Sequence, residues 1–241
     1  MSRTLPKRNE HPYMAAIMAY GSYHCNGVII STKIVLATAA CVLDKKNELQ
    51  HITIQTGSKY LWKGQIHQVK KYYVYEINTN EIDPGVLYPI GAFKLKTPMK
   101  INSAQSPINI ASLPEGLYDK PTITRLFRMD WHGTLSGYGK RQLESGTNLK
   151  RTTIVIERIP FCKESLTLAG LSYYDHNICG YENEVYIGND GSVLVYNNSL
   201  IGLATYTGYT LFTVSGAAKI GTVFTYIYKV KPFIDLLLLN S

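Results

Sequence analysis

Few residues in this chain have the chemistry and spacing of a reaction centre. Asp190 and Glu184 form the one carboxylate pair that invites a hydrolytic reading, because paired carboxylates are the usual apparatus of general acid–base cleavage. Ser192 lies two residues past Asp190. The six histidines, His11, His24, His51, His67, His132 and His176, show no H-E-x-x-H or comparable zinc spacing, so no metal is expected. No glycine loop of the Walker or dinucleotide-binding type occurs, and no cofactor is expected. Asp83 sits in Asp83-Pro84-Gly85, which reads as a surface turn. The four cysteines, Cys25, Cys41, Cys162 and Cys179, allow three pairings. Asn197-Asn198-Ser199 satisfies the spacing of a glycosylation acceptor at Asn197.

Three stretches carry a family resemblance. Val35-Leu36-Ala37-Thr38-Ala39-Ala40-Cys41 resembles V-L-T-A-A-H-C, Pro89-Ile90-Gly91-Ala92-Phe93-Lys94-Leu95 resembles D-I-A-L-L-K-L, and Gly188-Asn189-Asp190-Gly191-Ser192-Val193-Leu194-Val195 resembles G-D-S-G-G-P-L-V. These are the catalytic motifs of trypsin-like serine proteases. The likeness continues in Tyr23-His24-Cys25-Asn26-Gly27 against H-F-C-G-G, in Leu135-Ser136-Gly137-Tyr138-Gly139 against V-S-G-W-G, in Asp175-His176-Asn177-Ile178-Cys179 against D-N-M-I-C, in Gly221-Thr222-Val223-Phe224-Thr225 against P-G-V-Y-T, and in Phe233-Ile234-Asp235 against F-I-D-W. Order and spacing hold from about residue 12 onward.

The resemblance implies an all-β fold, a chymotrypsin-like double six-stranded β-barrel with a C-terminal α-helix. It also implies that the reacting groups are gone. Ala40 stands in the place of the histidine, Pro89 of the aspartate and Asp190 of the nucleophilic serine. The triad needs a hydroxyl, an imidazole to take its proton and a carboxylate to orient that imidazole. Asp190 would set an anion beside a developing oxyanion, which repels what catalysis must stabilise. Glu184 takes the place of the acidic floor of the substrate pocket. Val185 and Tyr186 follow it, Tyr186 standing for a cysteine, and Thr207 and Thr222 add bulk where the pocket walls carry glycine. The pocket is therefore expected to be filled. Asn189 replaces the aspartate that receives the new N-terminus on activation. The resemblance pairs Cys25 with Cys41 and Cys162 with Cys179, each worth about 3 kcal/mol in the chain-entropy view.

Lys94-Leu95-Lys96-Thr97-Pro98-Met99-Lys100-Ile101-Asn102 resembles K-L-K-S-P-M-K-L-N of the group 3 mite allergens, and loss of every triad residue resembles the scabies mite inactivated serine protease paralogues. That likeness implies a protein secreted into the mite gut and host skin. It implies partners among host complement proteins (the recognition molecules and properdin), and inhibition of the cascade by binding. Two other readings stand beside it: a weak hydrolase using Asp190 and Glu184, and a charge-driven decoy that binds polyanions.

The elements that must position these residues are short and β-rich. Candidate strands are His51 to Gln55, Gln65 to Val69, Gly91 to Leu95, Thr152 to Ile156, Val193 to Tyr196, Leu200 to Tyr206 and Val223 to Tyr228, with a hairpin turn at Tyr196-Asn197-Asn198-Ser199. Helical periodicity is expected from about Lys231 to the end and from Phe161 to Leu168. A seam near Leu113-Pro114-Glu115-Gly116 would divide an N-terminal barrel, 1–115, from a C-terminal barrel, 116–241. With 241 residues, 45% of them hydrophobic, a large core is within reach. The net charge of +8 comes from scattered pairs such as Lys45-Lys46 and Lys70-Lys71, not from a dense tract, so nucleic acid is not an expected partner. No apolar run reaches the length of a membrane span, and residues 1–8 lack the apolar core of a signal peptide.

Overall fold

The computed structural model describes residues 10–76, 89–110, 131–138, 149–156, 159–171, 174–181, 191–212 and 218–241. The first barrel is made of β1 (Met14–Ala19), β2 (Ser22–Ile29), β3 (Ile34–Ala37), β4 (Ile52–Thr56), β5 (Gln65–Tyr75) and β6 (Ile90–Leu95). These strands close in the order β1-β2-β3-β6-β5-β4. The second is made of β8 (Trp131–Tyr138), β9 (Leu149–Ile156), β10 (Asn177–Tyr181), β11 (Val193–Tyr196), β12 (Ser199–Phe212) and β13 (Ala218–Tyr226). Here the order is β11-β8-β9-β10-β13-β12, and β11 pairs back onto β12 to close the ring. A two-residue strand, β7 (Asn109–Ile110), joins the outer edge of β12 in parallel. Closure removes the exposed strand edges that invite aggregation. The double six-stranded barrel expected from the motifs is the fold observed.

Strand alternation sorts the apolar residues into three layers. On β1, Ala15, Ile17 and Ala19 fill the first barrel with Ile29, Val35, Ile54 and Phe93. Met14, Ala16 and Met18, on the other face, join Ile34 and Leu36 in a layer shared with Tyr138, Val193, Leu200 and Leu203 of the second barrel. Leu135, Ile154, Leu194, Ala204 and Phe224 fill the second barrel. Three helices seal the edges: α1 (Ala39–Asp44), α2 (Ile159–Leu168) and α3 (Lys231–Leu239). The last helix buries Ile234 and Leu237 in the shared layer. It also reaches the first barrel, where Phe233 stacks on Tyr75 at 5.2 Å and Lys94 Nζ donates to Asn240 O at 2.5 Å.

Several strands run longer than their local patterns predict. β5 extends to Tyr75 across a bulge between Val69 and Lys71, and β12 runs from Ser199 to Phe212 through two register shifts. Each irregularity breaks the period-two signal that a sequence reading follows. At the other end of the error, β13 stops at Tyr226, and Ile227–Val230 form a 3-10 turn instead of continuing the strand. Ile227 and Val230, three apart, are both buried, which is the repeat of a 3-10 helix. The second helix begins at Ile159, two residues before the predicted start. The seam expected near residues 113–116 lies outside the described residues, as does Asp83. Among the described residues no helix is long and apolar enough to cross a membrane.

Candidate functional site

Of the residues set in catalytic places by the resemblance, Ala40 lies in α1 and Pro89 immediately before β6. Thr38 caps α1, its Oγ1 accepting from the Cys41 amide at 3.3 Å, which satisfies one of the open donors of the first turn. Ala39, Cys41 and Val42 face inward, and Ala40 points its methyl group to solvent. Pro89 is buried, and its carbonyl accepts from Thr225 Oγ1 of β13 at 2.7 Å. Asp190, Asn189, Glu184, Val185 and Tyr186 lie outside the described residues. On the far wall, the backbone of Thr207 pairs with Thr222 across β12 and β13, and Thr222 is buried.

Cys25 is bonded to Cys41 and Cys162 to Cys179, as expected from the resemblance. The first bond ties α1 to β2, and the second ties α2 to β10. His24 lies against the first disulfide, its Nε2 3.1 Å from Cys41 O and 3.6 Å from Asp44 Oδ2. One ligand atom from each of His24, Cys25 and Cys41 falls within 4.8 Å of the others, but both sulfurs are committed to the disulfide, so the trio is not a metal site. Asn197 and Asn198 form an exposed turn with φ of 46° and 58°, so the acceptor at Asn197 is on the surface.

A buried polar junction fastens this site between the barrels. Asn26 of β2 pairs with both backbone groups of Tyr138: Oδ1 accepts from Tyr138 N at 2.7 Å, and Nδ2 donates to Tyr138 O at 3.1 Å. The Tyr23 hydroxyl donates to the same carbonyl at 2.8 Å. The Tyr138 hydroxyl donates to Ser58 O, and burial pushes its pKa far up, so the phenol stays protonated. Ser192, fully buried, is 3.5 Å from Asn26 Nδ2. Gly191 lies directly over the Asn26 backbone with φ of +76°; a Cβ there would come within 2.2 Å of Asn26 O. Gly191, at the entry to β11, is therefore pressed onto the first barrel. Ser192 is a packed structural residue.

Asn26 escaped the sequence reading. Its signal was one asparagine where the family pattern C-G-G has glycine, and only the fold shows what it holds. The structure also brings together a serine and a histidine that no motif joined. Ser136 Oγ is 3.3 Å from His11 Nδ1, and that nitrogen is shared with the Tyr13 hydroxyl at 2.8 Å. Burial lowers the His11 pKa to about 4 and, against a smaller opposing effect of Ser136, pushes Tyr13 up to about 12. Ser136 is fully buried, so substrate has no access to its hydroxyl. This cluster is a neutral hydrogen-bonded joint between the barrels, not a relocated nucleophile and base.

The Trypsin family model matches residues 3–234. A trypsin of Phaedon cochleariae is 25% identical over 163 residues, which is 66% of this chain and 57% of that protein, so the chain spans little more than half of that relative's length. Trypsin epsilon of Drosophila erecta is 23% identical over 207 residues, covering 83% of this chain and 73% of that protein. Among solved structures, the scabies mite inactivated protease paralogue S-D1 superposes with a TM-score of 0.77 at 22% identity, over 99% of this chain and 97% of that one. Paralogue S-I1 gives 0.75 at 22% identity over 100% of both chains. Neuropsin, a serine protease of mouse brain, gives 0.76 at 17% identity over 98% of both. At such identities the structures speak for the shared fold, and the family match across almost the whole sequence settles descent: this chain belongs to the trypsin family.

Proposed function

We propose that this protein is a catalytically inactive trypsin homologue that acts by binding. The reading is carried by Ala40, which offers a methyl group from α1, beside the Cys25–Cys41 disulfide, where the resemblance to active trypsins sets a proton acceptor. Pro89 supplies no carboxylate to orient a base, and Asp190 supplies no hydroxyl to attack. Loss of a triad as a unit costs on the order of 10⁶ in turnover in a related hydrolase. Thr222, buried on β13, supports a substrate pocket narrowed by side chains, as the bulk of Glu184, Val185, Tyr186 and Thr207 in the sequence also does. Nothing then remains for the cleft to do chemically, and the useful property of the protein is its outer surface.

The shared fold with the inactivated scabies mite paralogues supports the same reading, and the two disulfides suit an oxidising compartment. On this reading the protein is secreted, meets host complement components and inhibits the cascade by occupying them. The test combines two measurements on one preparation. Complement deposition from human serum should fall with increasing protein, and a panel of ester and peptide substrates should be hydrolysed no faster than in buffer. Turnover that disappears in Asp190→Ala would replace this reading with an altered hydrolase. Deposition unaffected at any concentration would remove complement as the target.

A further inference from the structure

The first barrel carries an exposed aromatic face that the fold does not need. Tyr20 is 61% exposed, Trp62 57%, Tyr60 42% and Ile66 69%. Tyr20 and Gly21 form the two-residue turn between β1 and β2, with φ of 53° and 75°. Such a turn favours asparagine or glycine at both positions, and the chain uses asparagine twice in its other turn of this kind, at Asn197-Asn198. Trp62 is likewise left-handed at φ 62°, which is an outlier for a bulky residue. Backbone held in this way on a surface points to a use for the side chain it displays.

The face is also built to be rigid. Gln55, buried beneath the loop, accepts from Trp62 N at 2.6 Å and donates through Nε2 to Tyr60 O at 3.0 Å. The Trp62 indole N–H donates to Gly21 O at 3.0 Å, which locks the loop to the β1–β2 turn. Tyr20 stacks on His51 at 4.3 Å. Ile66 is the cross-strand partner of Gln55, so it emerges on the same side of the sheet. Lysines surround the rings: Lys45 beside the Tyr20 phenol, Lys59 over the Tyr60 ring at 5.3 Å, Lys63 next to Trp62, and Lys46 on the following turn. Of the nearby acids, Asp44 is already paired with Lys45 at 3.2 Å, and Glu48 stands beside Tyr20.

We infer that this face, centred on Trp62 and Tyr20, docks an acidic protein surface that carries exposed aliphatic groups. The inference rests on the non-catalytic binding role proposed above and gives that role a location. A desolvated aromatic centre within a charged rim is the anatomy of a protein interface, and tryptophan and tyrosine are its usual anchors. The cationic rim selects acidic partners and speeds their encounter. Because the indole N–H is bonded to Gly21 O and the Tyr20 ring is stacked on His51, the rings are tied to the barrel surface and are not free to project as inserting anchors, which favours a protein over a lipid bilayer.

The probe is a peptide of about 12 residues alternating glutamate and leucine, added to full-length protein labelled with 5-fluorotryptophan. The fluorine signal of Trp62 is separated from that of Trp131 by Trp62→Phe. We expect the Trp62 signal to move on titration. Affinity should fall at least about five-fold in Trp62→Ala and Tyr20→Ala, and it should weaken as salt rises from about 50 to about 300 mM. The inference is overturned by a Trp62 signal that stays still at millimolar peptide. It fails equally if a leucine–lysine peptide binds as well, or if phosphatidylserine vesicles move the signal and the peptide does not. Mass spectrometry of the recovered peptide separates the two claims. Cleavage would sink the non-catalytic reading whatever Trp62 does, whereas an intact peptide with a still signal sinks the docking face alone.

Discussion

Gly191 and Trp62 both hold left-handed backbone, and the chain treats them in opposite ways. At Gly191 the residue suits the geometry: any side chain would strike the Asn26 carbonyl, and glycine takes φ of +76° without strain. Around it Asn26 and Tyr138 satisfy one another, and Ser192 lies against Asn26. At Trp62, and at Tyr20 nearby, the least suitable kind of side chain occupies the same conformation and is left half in solvent. The junction is arranged for stability, and the aromatic face is arranged against it. If the chain acts by binding, as proposed, that contrast indicates where constraint on the molecule now lies.

Substitutions should separate the two regions sharply. Gly191→Ala combines a backbone clash with a disfavoured φ, and we expect a loss of about 4 kcal/mol. In a chain of this size that is roughly 10 °C or more in thermal midpoint, read by calorimetry. Asn26→Ala leaves the buried Tyr138 amide without its acceptor and should cost about 2–3 kcal/mol; a loss below about 0.5 kcal/mol would mean that the junction does not hold the barrels. The pH dependence reports on the same region. His11 is held near pKa 4 by burial and returns to about 6.5 on unfolding, so the unfolded chain binds the extra proton between those values. This stability is present above pH 6.5 and is lost as pH falls toward 4, by roughly 3 kcal/mol. In His11→Gln that slope in denaturant midpoint should flatten.

The aromatic face should respond in the other direction. Tyr20→Asn places the favoured residue in the β1–β2 turn and should raise stability by about 0.5–1 kcal/mol, although it removes the stacking on His51. Trp62→Ala removes a largely exposed side chain and should change stability by no more than about 0.5 kcal/mol. A large loss in either variant would show that the rings hold the barrel together, and the contrast with Gly191 would collapse.

What the sequence discloses follows from where each element is buried. The Asn197-Asn198 turn is legible because both residues tolerate positive φ and two alternating runs flank them. The Tyr20-Gly21 turn has the same backbone and escapes notice because tyrosine is not a turn residue. β1 gives no alternation at all: each of its six residues is buried, one face in the barrel and the other in the shared layer, and its alanines and methionines favour helix. The motifs around Cys41, Leu95 and Val193 recovered the barrels because family patterns survive where local periodicity fails. Asn26 remained hidden, since a single polar residue in a strand has no period and its partner, Tyr138, is more than a hundred positions away.

The clasp of α3 on the first barrel bears on how the molecule is made. Phe233 and Asn240 reach Tyr75 and Lys94, so the first barrel is sealed by a segment that is synthesised 146 positions after Lys94. Until then its hydrophobic seam stays open. Assembly thus waits on contacts of high contact order and is slow by nature.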